Sequence, residues 1–404
     1  MAFNIALSGL NAASADLEVI SNNIANVNTT GFKNSRAEFA DLFQISRYGT
    51  AGSKTGSGVR LADVAQQFAQ GNLEYTSSGL NMAVVGEGFF TIRTDSGLAY
   101  TRAGNFQLDN AGNVVLPQGG NLQVYPPDGI GGFRQTLSNL QITTSQGAPS
   151  ATTTATLGVN LDATSVPPVT TPFDPLDPTS FNHSSPFTSY DSLGVAHETT
   201  VYYVNTAPGT WDAYMTVDGA AAGGPLPMTF DASGALTTPA GGQLAFPAFP
   251  LTNGANPLTI TADVSGVTQF GQASANSALV QNGYAAGRVT TIDIDDSGIV
   301  SVRYSNGQST ALGRVALADF ANAQGLQQIG NTMWAETNGS GQPVYGGPGT
   351  GDFGQLQSGA LESSNVDLTQ ELVKMIKAQR NYQANAQVIQ ADNTLTQTII
   401  NLRS

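Results

Sequence analysis

Residues 7–33 read LSGLNAASADLEVISNNIANVNTTGFK. Apolar residues recur there at every third or fourth position, and the pattern begins just upstream, at Phe3. Alternating spacings of three and four are typical of a helix that packs along a partner. The periodic positions are Phe3, Ala6, Leu10, Ala13, Leu17, Ile20, Ile24 and Val27. The segment 28–31 then supplies a stop, with Gly31 suited to the left-handed position after a helix.

The C-terminal end repeats this pattern over a longer stretch. Asp367 can cap a helix, and Gln370 occupies the capping-box position three residues later. The pattern extends over about 35 residues, whereas a typical globular helix has about 11. Two ordinary amphipathic helices on a globular body would also fit the periodicity, but this length favours a long coiled-coil pair. The periodic positions are Leu368, Leu372, Met375, Gln379, Tyr382, Ala386, Ile389, Asn393, Thr396 and Ile400.

Between the two ends, the sequence predicts β structure. Short runs of β-branched and aromatic residues predict strands. Three aspartates, Asp109, Asp231 and Asp295, are each followed three residues later by glycine, which is hairpin-turn chemistry. The predicted strands cover residues 80–92, 114–116, 199–204, 211–217, 258–264, 289–294 and 299–304. The predicted fold class is therefore mainly β with long terminal α-helices.

Proline and basic residues mark off the middle of the chain. No Lys or Arg occurs between Arg134 and Arg288, although that interval holds acidic residues, and most of the 19 prolines lie in the same region. Such a sharp change in composition predicts a separate domain inserted in the middle of the chain. Only 11% of the 404 residues are charged, against roughly 25% in an average soluble domain.

Composition also argues against several function classes. The net charge of −14 disfavours nucleic-acid partners, because like charges repel. The absence of cysteine excludes disulfides and thiolate zinc sites. The two histidines, His183 and His197, are too few for a His-rich metal site, and we expect both at the surface. Since nothing assembles a reaction centre, no catalytic residue, cofactor or metal is predicted.

Two motifs resemble ligand sites but lack the required context. Residues 349–354 match GxGxxG, yet they follow a Pro- and Gly-rich connector instead of the strand that a dinucleotide site needs. Residues 293–298 resemble the start of a calcium loop. The twelfth position of that loop would be Tyr304 in place of glutamate, and the flanks are predicted strands. A turn is the expected structure there.

The N-terminus lacks the basic and apolar regions of a secretory signal. No run approaches the ~18 apolar residues of a membrane-spanning helix. We therefore expect no membrane insertion. Work outside the cell would require an export route that recognises some other feature.

Several segments together carry a family resemblance. Residues 7–33 closely resemble the N-terminal signature of flagellar rod, hook and hook-associated axial proteins, and residues 361–402 resemble the matching C-terminal signature. Residues 70–90 and 99–106 are similar to the first body strands of that family. The core of the N-terminal signature comprises Ser21, Asn22, Asn23, Ile24, Ala25, Asn26, Gly31, Phe32 and Lys33.

The resemblance implies a nested multi-domain architecture. Residues 1–70 with 358–404 would form a terminal helical, coiled-coil inner domain with its linker. Residues 71–144 with 285–357 would form a middle β domain, and residues 145–284 an outer inserted β domain. The size of that insertion resembles the hook members of the family. Rod members have a shorter body, and junction members are usually longer.

The implied function is structural and not enzymatic. Such a subunit would assemble with itself into a curved hollow tube that works as a universal joint and transmits motor torque from rod to filament. A distal rod protein or a hook–filament junction protein is the nearest alternative. A protein of a different class, a secreted binding module acting through Trp211, Tyr202 and Tyr214, also stays open.

The implied partners are other copies of the chain, the rod and hook–filament junction proteins at the two ends, the hook cap and the flagellar type III export machinery. The implied location is the extracellular hook of the flagellum, reached without a cleaved signal peptide. Because the terminal helices cannot bury their apolar positions alone, we expect them to be mostly disordered in the free monomer. The candidate self-assembly residues are Phe3, Leu10, Leu17, Ile20, Ile24, Leu368, Leu372, Met375, Tyr382 and Ile389.

Overall fold

The computed structural model describes residues 2–42, 56–142 and 146–402. The chain divides into two compact units. The first unit comprises Met1–Thr143, Thr291–Val302 and Ser309–Ser404, and the second comprises Thr144–Thr290 and Arg303–Gln308. The described part is mainly β with one long helix at each end, which confirms the predicted fold class. The predicted domain boundary at 144/145 lies outside the described residues.

Strands make up most of the chain between the two terminal helices. The N-terminal part contains α1 (Ala2–Ala25), β1 (Ser35–Asp41), β2 (Val59–Gln66), β3 (Leu73–Tyr75), β4 (Met82–Val85), β5 (Phe89–Thr94), β6 (Gly97–Thr101), β7 (Gln107–Leu108), β8 (Val114–Val115), β9 (Asn121–Tyr125) and β10 (Ser138–Asn139). The middle part contains β11 (Thr154–Asp162), β12 (His183–Tyr190), β13 (Ala196–Ala207), β14 (Thr210–Val217), β15 (Ala220–Phe230), β16 (Leu236–Thr238), β17 (Gln243–Ala245), β18 (Thr261–Asp263), β19 (Thr268–Phe270) and β20 (Ala275–Gln281). The C-terminal part contains β21 (Val289–Ile294), β22 (Ile299–Tyr304), β23 (Ser309–Val315), β24 (Leu317–Asp319), a 3₁₀ turn (Ala323–Gly325), β25 (Gln327–Gly330), β26 (Met333–Ala335), β27 (Val344–Gly346), β28 (Gln355–Ser358), β29 (Ala360–Glu362) and α2 (Leu368–Leu402).

The two terminal helices pack against each other in the first unit. Gly9, in the first half of α1, lies beside Asn385 at the middle of α2. Asn23, near the end of α1, contacts Glu371 in the first turn of α2. The helices therefore run antiparallel. Each helix packs against the other within its own chain, which agrees with the expected coiled-coil inner domain. Disorder of these helices in the free monomer stays a prediction.

The predicted start of α2 is confirmed by its cap. The Asp367 carboxylate accepts hydrogen bonds from the backbone N–H groups of Thr369 and Gln370, at 2.8 and 3.1 Å. These bonds satisfy donors that have no partner inside the helix. The helix then runs for 35 residues, the length that the periodicity predicted.

The predicted end of α1 is wrong in one respect. Gly31 is left-handed, with φ +69°, but the helix already ends at Ala25. The Asn26 side chain donates hydrogen bonds to the backbone oxygen and the side-chain oxygen of Asn22. Asparagine side chains compete with the helical backbone in this way and favour turns. The segment before Gly31 is therefore an asparagine-stabilised turn that follows the helix.

The β part of the first unit, which we call the body, begins after the antiparallel pair of β1 and β2. Its main sheet has the strand order β21-β22-β23-β9-β5-β6-β26-β25. Two antiparallel pairs, β3 with β29 and β4 with β28, join the first strands of the body to its last. Phe89, Tyr100, Phe320 and Trp334 form an aromatic core with edge-to-face contacts. The single strand predicted over residues 80–92 is two strands, β4 and β5, separated by glycines with positive φ.

The second unit contains two five-stranded sheets that share one core. One sheet has the order β12-β13-β14-β15-β16, and the other joins β17, β18, β11 and β19, with β20 paired to β11. Inward residues from both sheets, including Leu157, Val201, Trp211 and Ile260, are fully buried in that core. The alternation of buried and exposed positions along β12 and β13 places alternate residues on the core side.

The predicted aspartate turns are confirmed. The Asp109 carboxylate accepts the backbone N–H groups of Ala111 and Asn113, at 2.8 and 2.7 Å. The Asp231 carboxylate likewise accepts the N–H groups of the residues two and four positions later. The Asp295 carboxylate accepts the N–H of the residue four positions later. The glycine three residues after each aspartate has a φ near +80°. The calcium-like segment 293–298 is therefore one of these turns, as predicted.

Candidate assembly interface

The inner contact of the helix pair uses mostly small residues. Ala6, Ala13 and Ile20 recur every seven residues along α1, and all three are buried. On α2, the buried Ala378 lies seven residues before Asn385, so it shares the side that contacts α1. A Cβ added at Gly9 would lie 2.7 Å from the side-chain oxygen of Asn385, so the helices approach closely there. Among the predicted α1 assembly residues, Ile20 belongs to this inner contact.

The larger apolar residues of α1 form a second line beside the first. Phe3 is exposed, and Leu10, Leu17 and Ile24 are half-buried. They repeat every seven residues, one helical turn from the buried line, so they share one side of the helix. We call Phe3, Leu10, Leu17 and Ile24 the outer line of α1. Within a single chain, this line is only partly covered.

The predicted assembly residues of α2 are also left exposed or half-buried within a single chain. Leu368, Leu372 and Tyr382 are exposed, while Met375 and Ile389 are half-buried. The structure thus brings all ten predicted residues onto one helix pair and buries one of them, Ile20.

Further apolar residues lie exposed on the same helices. Periodicity did not predict them, because they fall outside the seam of alternating spacings. Composition could have indicated them, because a solvated helix face usually carries charged residues where this chain has apolar ones. The missed residues are Ile5, Leu7, Val373, Ile376, Val388 and Leu395.

The signature residues lie at the base of the helix pair. Asn23 is buried, and its side chain donates to the backbone oxygen of Ser35 at 2.8 Å and accepts from the Ser35 N–H at 2.9 Å. Its amide group also donates to Glu371 at 3.3 Å. Asn23 therefore joins α1, β1 and α2. Of its neighbours in the signature, Ser21 and Ala25 are exposed.

The end of the signature is buried against the body. Phe32 is buried, and the Gly31 N–H donates to the Glu362 backbone oxygen at 2.8 Å. The Lys33 ammonium donates to the Ala69 backbone oxygen at 2.8 Å and to the Glu362 carboxylate at 2.5 Å. The signature thus connects the helix pair to β29, more than 300 residues later in the chain.

Glu362 is the centre of a buried ionic cluster. Its carboxylate pairs with Lys33 and, at 3.4 Å, with Arg102, and it accepts the Gly71 N–H at 2.8 Å. The side chains of Lys33, Arg102 and Glu362 are 1%, 2% and 0% exposed. Burial lowers the pKa of Lys33, and its contact with Glu362 opposes that shift. We call these three residues the anchor cluster.

Neither periodicity nor a motif singled out Arg102 and Glu362 in the sequence. Both lie in segments that carry the family resemblance, and charged residues are scarce in this chain. A charged residue inside a segment that carries the resemblance could therefore have indicated a buried ionic contact.

Gly31 lies where the signature turn meets the body most closely. A Cβ at this position would lie 2.4 Å from the backbone nitrogen of Ala103, with φ at +69°. We expect Gly31→Ala to lower the thermal midpoint of the first unit well beyond the effect of Gly341→Ala. Gly341 has a similar φ of +77°, but its Cβ would meet no atom within 4 Å. Both variants carry the left-handed strain of about 1–2 kcal/mol, so the difference measures the close contact. Equal midpoints would contradict this packing.

Other sequence expectations need correction. His197 is buried in the second unit and not at the surface, because it occupies an inward position of β13. Trp211 is fully buried in the core, so it offers no binding face. Tyr202 and Tyr214 are half-buried and pack against Phe173, at ring-centroid distances of 5.2 and 4.3 Å. The binding-module alternative therefore loses its proposed aromatic surface.

The remaining motifs form no site in the part of the chain that the structure describes. The GxGxxG segment is a turn between β27 and β28, in which the Gly349 N–H donates to the Gly354 oxygen. No group of three or more acidic or histidine side chains among the described residues is arranged to hold a metal ion. Within the same residues, no helix has the length and hydrophobicity needed to cross a membrane.

Models of four flagellar protein families match segments of this chain. Family models match residues 3–33 ("Flagella basal body rod protein"), 83–163 ("Flagellar hook protein FlgE/F/G D1 domain"), 160–284 ("Flagellar basal body protein FlaE D2 domain") and 357–402 ("Flagellar basal body rod FlgEFG protein C-terminal"). Together these models include both helices, the anchor residues Lys33, Arg102 and Glu362, and the second-unit sheets.

Full-length relatives are flagellar hook proteins. The chain is 41% identical to "Flagellar hook protein FlgE" of Escherichia coli K12 over 100% of both chains. It is 32% identical to the protein of the same name from Borreliella burgdorferi, over 98% of both. A crystal structure of the Helicobacter pylori flagellar hook protein FlgE2 shares the fold, with a TM-score of 0.54 and 16% identity over 72% of this chain and 100% of that one. This chain therefore belongs to the FlgE family of flagellar hook proteins and is a structural subunit of the bacterial flagellar hook.

Proposed function

We propose that copies of this chain assemble, through the outer line of α1 and the exposed apolar residues of α2, into a curved hollow tube. The tube would transmit motor torque as a flexible joint. The observation that carries this proposal is the division of apolar residues on the helix pair. Small residues fill the contact within one chain, while large ones such as Phe3 and Leu372 stay exposed. Each apolar side chain that is newly buried contributes about 1.5–3 kcal/mol, so repeated contacts can hold a polymer together.

The geometry of such contacts favours an open filament. The outer line of α1 and the exposed apolar residues of α2 are different surfaces. A contact that joins one surface to a different surface on the next copy leaves a free surface at each end, so it continues as a helix unless it closes into a ring. We propose that the helix pair becomes fully ordered only when neighbouring copies cover these lines.

One face of α2 suits the wall of a hollow tube. Gln383, Gln390 and Gln397 repeat every seven residues away from the side that contacts α1, and all three are exposed. Ile376, seven residues before Gln383 on the same line, is exposed and apolar, so the amide face begins at Gln383. Neutral amides offer no fixed charge to a passing chain and no apolar surface for it to adhere to. We propose that this face lines the channel through which later flagellar proteins travel.

We further propose three domains within the chain. The terminal helices with residues 1–70 and 358–404 form the inner domain, and residues 71–144 with 285–357 form the middle domain. Residues 145–284 form the outer domain. The anchor cluster supports the proposed boundary between the inner and middle domains, because it joins Lys33 and Glu362, near the two terminal helices, to Arg102 of the body.

The remaining proposals concern partners and location. The chain would contact rod proteins at one end of the tube and junction proteins at the other, with a hook cap during growth. It would leave the cell through the flagellar type III machinery without a cleaved signal. We assign it no enzymatic activity, because its residues are used for packing, turns and assembly.

Electron microscopy of the purified chain, concentrated in a salt that strengthens apolar burial, tests the proposed assembly. We expect short curved tubes from the full chain. A version limited to residues 26–367 keeps the anchor cluster but lacks both helices, so it should form none. Tubes from that version would contradict assembly through the helices, and straight tubes from the full chain would contradict the curved joint.

A further inference from the structure

Three turns of the second unit meet at one buried histidine. His197 is the second residue of β13 and is buried. Asp191 lies in the turn between β12 and β13, and Asp218 lies in the turn that follows β14. Asn253, between β17 and β18, donates its side-chain amide to the Asp191 carboxylate at 2.5 Å. The ring of His197 lies between the two carboxylates.

The two ring nitrogens face two acceptors. Nδ1 lies 2.7 Å from Asp218 Oδ2, and Nε2 lies 3.3 Å from Asp191 Oδ2. A neutral imidazole carries only one N–H, so it would turn a lone pair towards one of these carboxylates. The protonated ring carries two N–H groups and donates to both. This geometry is the one in which a protonated ring satisfies both acceptors.

We propose that protonated His197 is a clasp that holds these three turns together, and that loss of its proton opens the clasp at Asp218. The two carboxylates differ in what can replace the ring. Asp191 is fully buried and also accepts the N–H groups of Leu193 and Val195, both at 2.8 Å. The Asp218 side chain is 54% exposed, so water can take the place of the ring there.

The charges around the ring support a bound proton. Burial alone would lower the pKa of His197, but the hydrogen bonds and charges of Asp218 and Asp191 outweigh it and raise that pKa above 6.5. Burial would raise the pKa of Asp191, but its hydrogen bonds with Asn253, Val195, His197 and Leu193 lower it, so this carboxylate is charged at neutral pH. The adjacent Glu198 is exposed, and its backbone N–H donates to the Asp218 carboxylate at 3.0 Å.

The sign of the pH effect follows from the raised pKa. The folded unit holds the proton more tightly than the unfolded chain does, so the clasp stabilises the fold fully below the unfolded pKa of about 6.5. That stabilisation is lost as the pH rises through the folded pKa. The second unit should therefore become less heat-stable on the alkaline side of neutrality.

Thermal unfolding of the full chain, followed by the fluorescence of Trp211 in a Trp334→Phe background, tests the clasp. Between about pH 6 and 9 we expect the midpoint of the second unit to fall by about 2–4 °C. His197→Gln should remove that fall, while the matched control His183→Gln should keep it. Equal pH dependence in the two variants would overturn the proposal.

Nitrogen NMR of the full chain with labelled histidine gives a readout that does not depend on the folding of a variant. We expect both ring nitrogens of His197 to be protonated at a pH of about 6.5, the unfolded pKa. We also expect the Nδ1 proton to be lost first as the pH rises, because Asp218 can turn to water. A neutral ring at that pH would overturn the clasp. Neither measurement depends on polymer formation, so failure here leaves the assembly proposal untouched.

Discussion

Replacing Glu362 by Gln is expected to lower the free energy of unfolding of the first unit by about 3–5 kcal/mol. The change leaves Lys33 and Arg102 buried without their shared counter-ion, and unpaired buried charges are costly. Deprotonation of Lys33, whose pKa is already lowered, limits the loss. Urea unfolding measures the effect. In a Trp211→Phe background, Trp334 is the single tryptophan and reports on the first unit alone.

Glu38→Gln is the matched control for this experiment. It removes the same charge from an ion pair of the same unit, but Arg36 and Glu38 are 64% and 44% exposed. An exposed pair contributes only about 0–1 kcal/mol, because water solvates the partner that remains. If both substitutions cost about the same, the anchor cluster is not what holds the two chain ends to the body.

Leu17→Asp is expected to abolish tube formation while the body stays folded. Leu17 belongs to the outer line of α1, which a neighbouring copy would bury. A carboxylate at that place must give up water without gaining a partner, and it replaces an apolar contact of about 1.5–3 kcal/mol. Because every copy in the tube carries the defect, the loss applies at every contact. Sedimentation of the polymer, with circular dichroism of the soluble fraction, separates assembly from folding.

Asn11→Asp is the control for the Leu17 variant. It adds the same charge to α1 at an exposed position on the side away from Ala6 and Ala13. Tubes should form nearly as they do from the unchanged chain. Normal tubes from Leu17→Asp would contradict the role of the outer line, and failure of both variants would indicate a response to charge alone.

Much of the architecture could be predicted from local pattern. Spacings of three and four residues predicted both helices, and Asp367 marked the start of α2. The aspartate turns were predictable because one side chain and one glycine determine each of them. The strand predicted over residues 80–92 was too long, because its glycines have positive φ and end the first strand.

The inner side of the helix pair could not be predicted from periodicity. Alternating spacings place two lines side by side, and the pattern does not say which of them faces the partner. The small size of Ala6, Ala13 and Gly9 decides it, because only the side with small residues allows the close approach beside Asn385. The large residues of the outer line are then left for another copy.

The anchor cluster was missed because it joins residues far apart in the chain, such as Lys33 and Glu362. His197 was within reach of the sequence. The predicted strand over residues 199–204 places Thr199, Val201 and Tyr203 on the buried side, and extending it by two residues places His197 there as well.

A reconstruction of the tube by electron cryomicroscopy would show which residues join neighbouring copies. We expect Ala13 to pack against α2 of its own chain, and Leu10 and Leu17 to be buried against the helices of a neighbouring copy. Subunits joined only through their β domains, with Leu10 and Leu17 facing solvent or the channel, would contradict assembly through the outer line of α1.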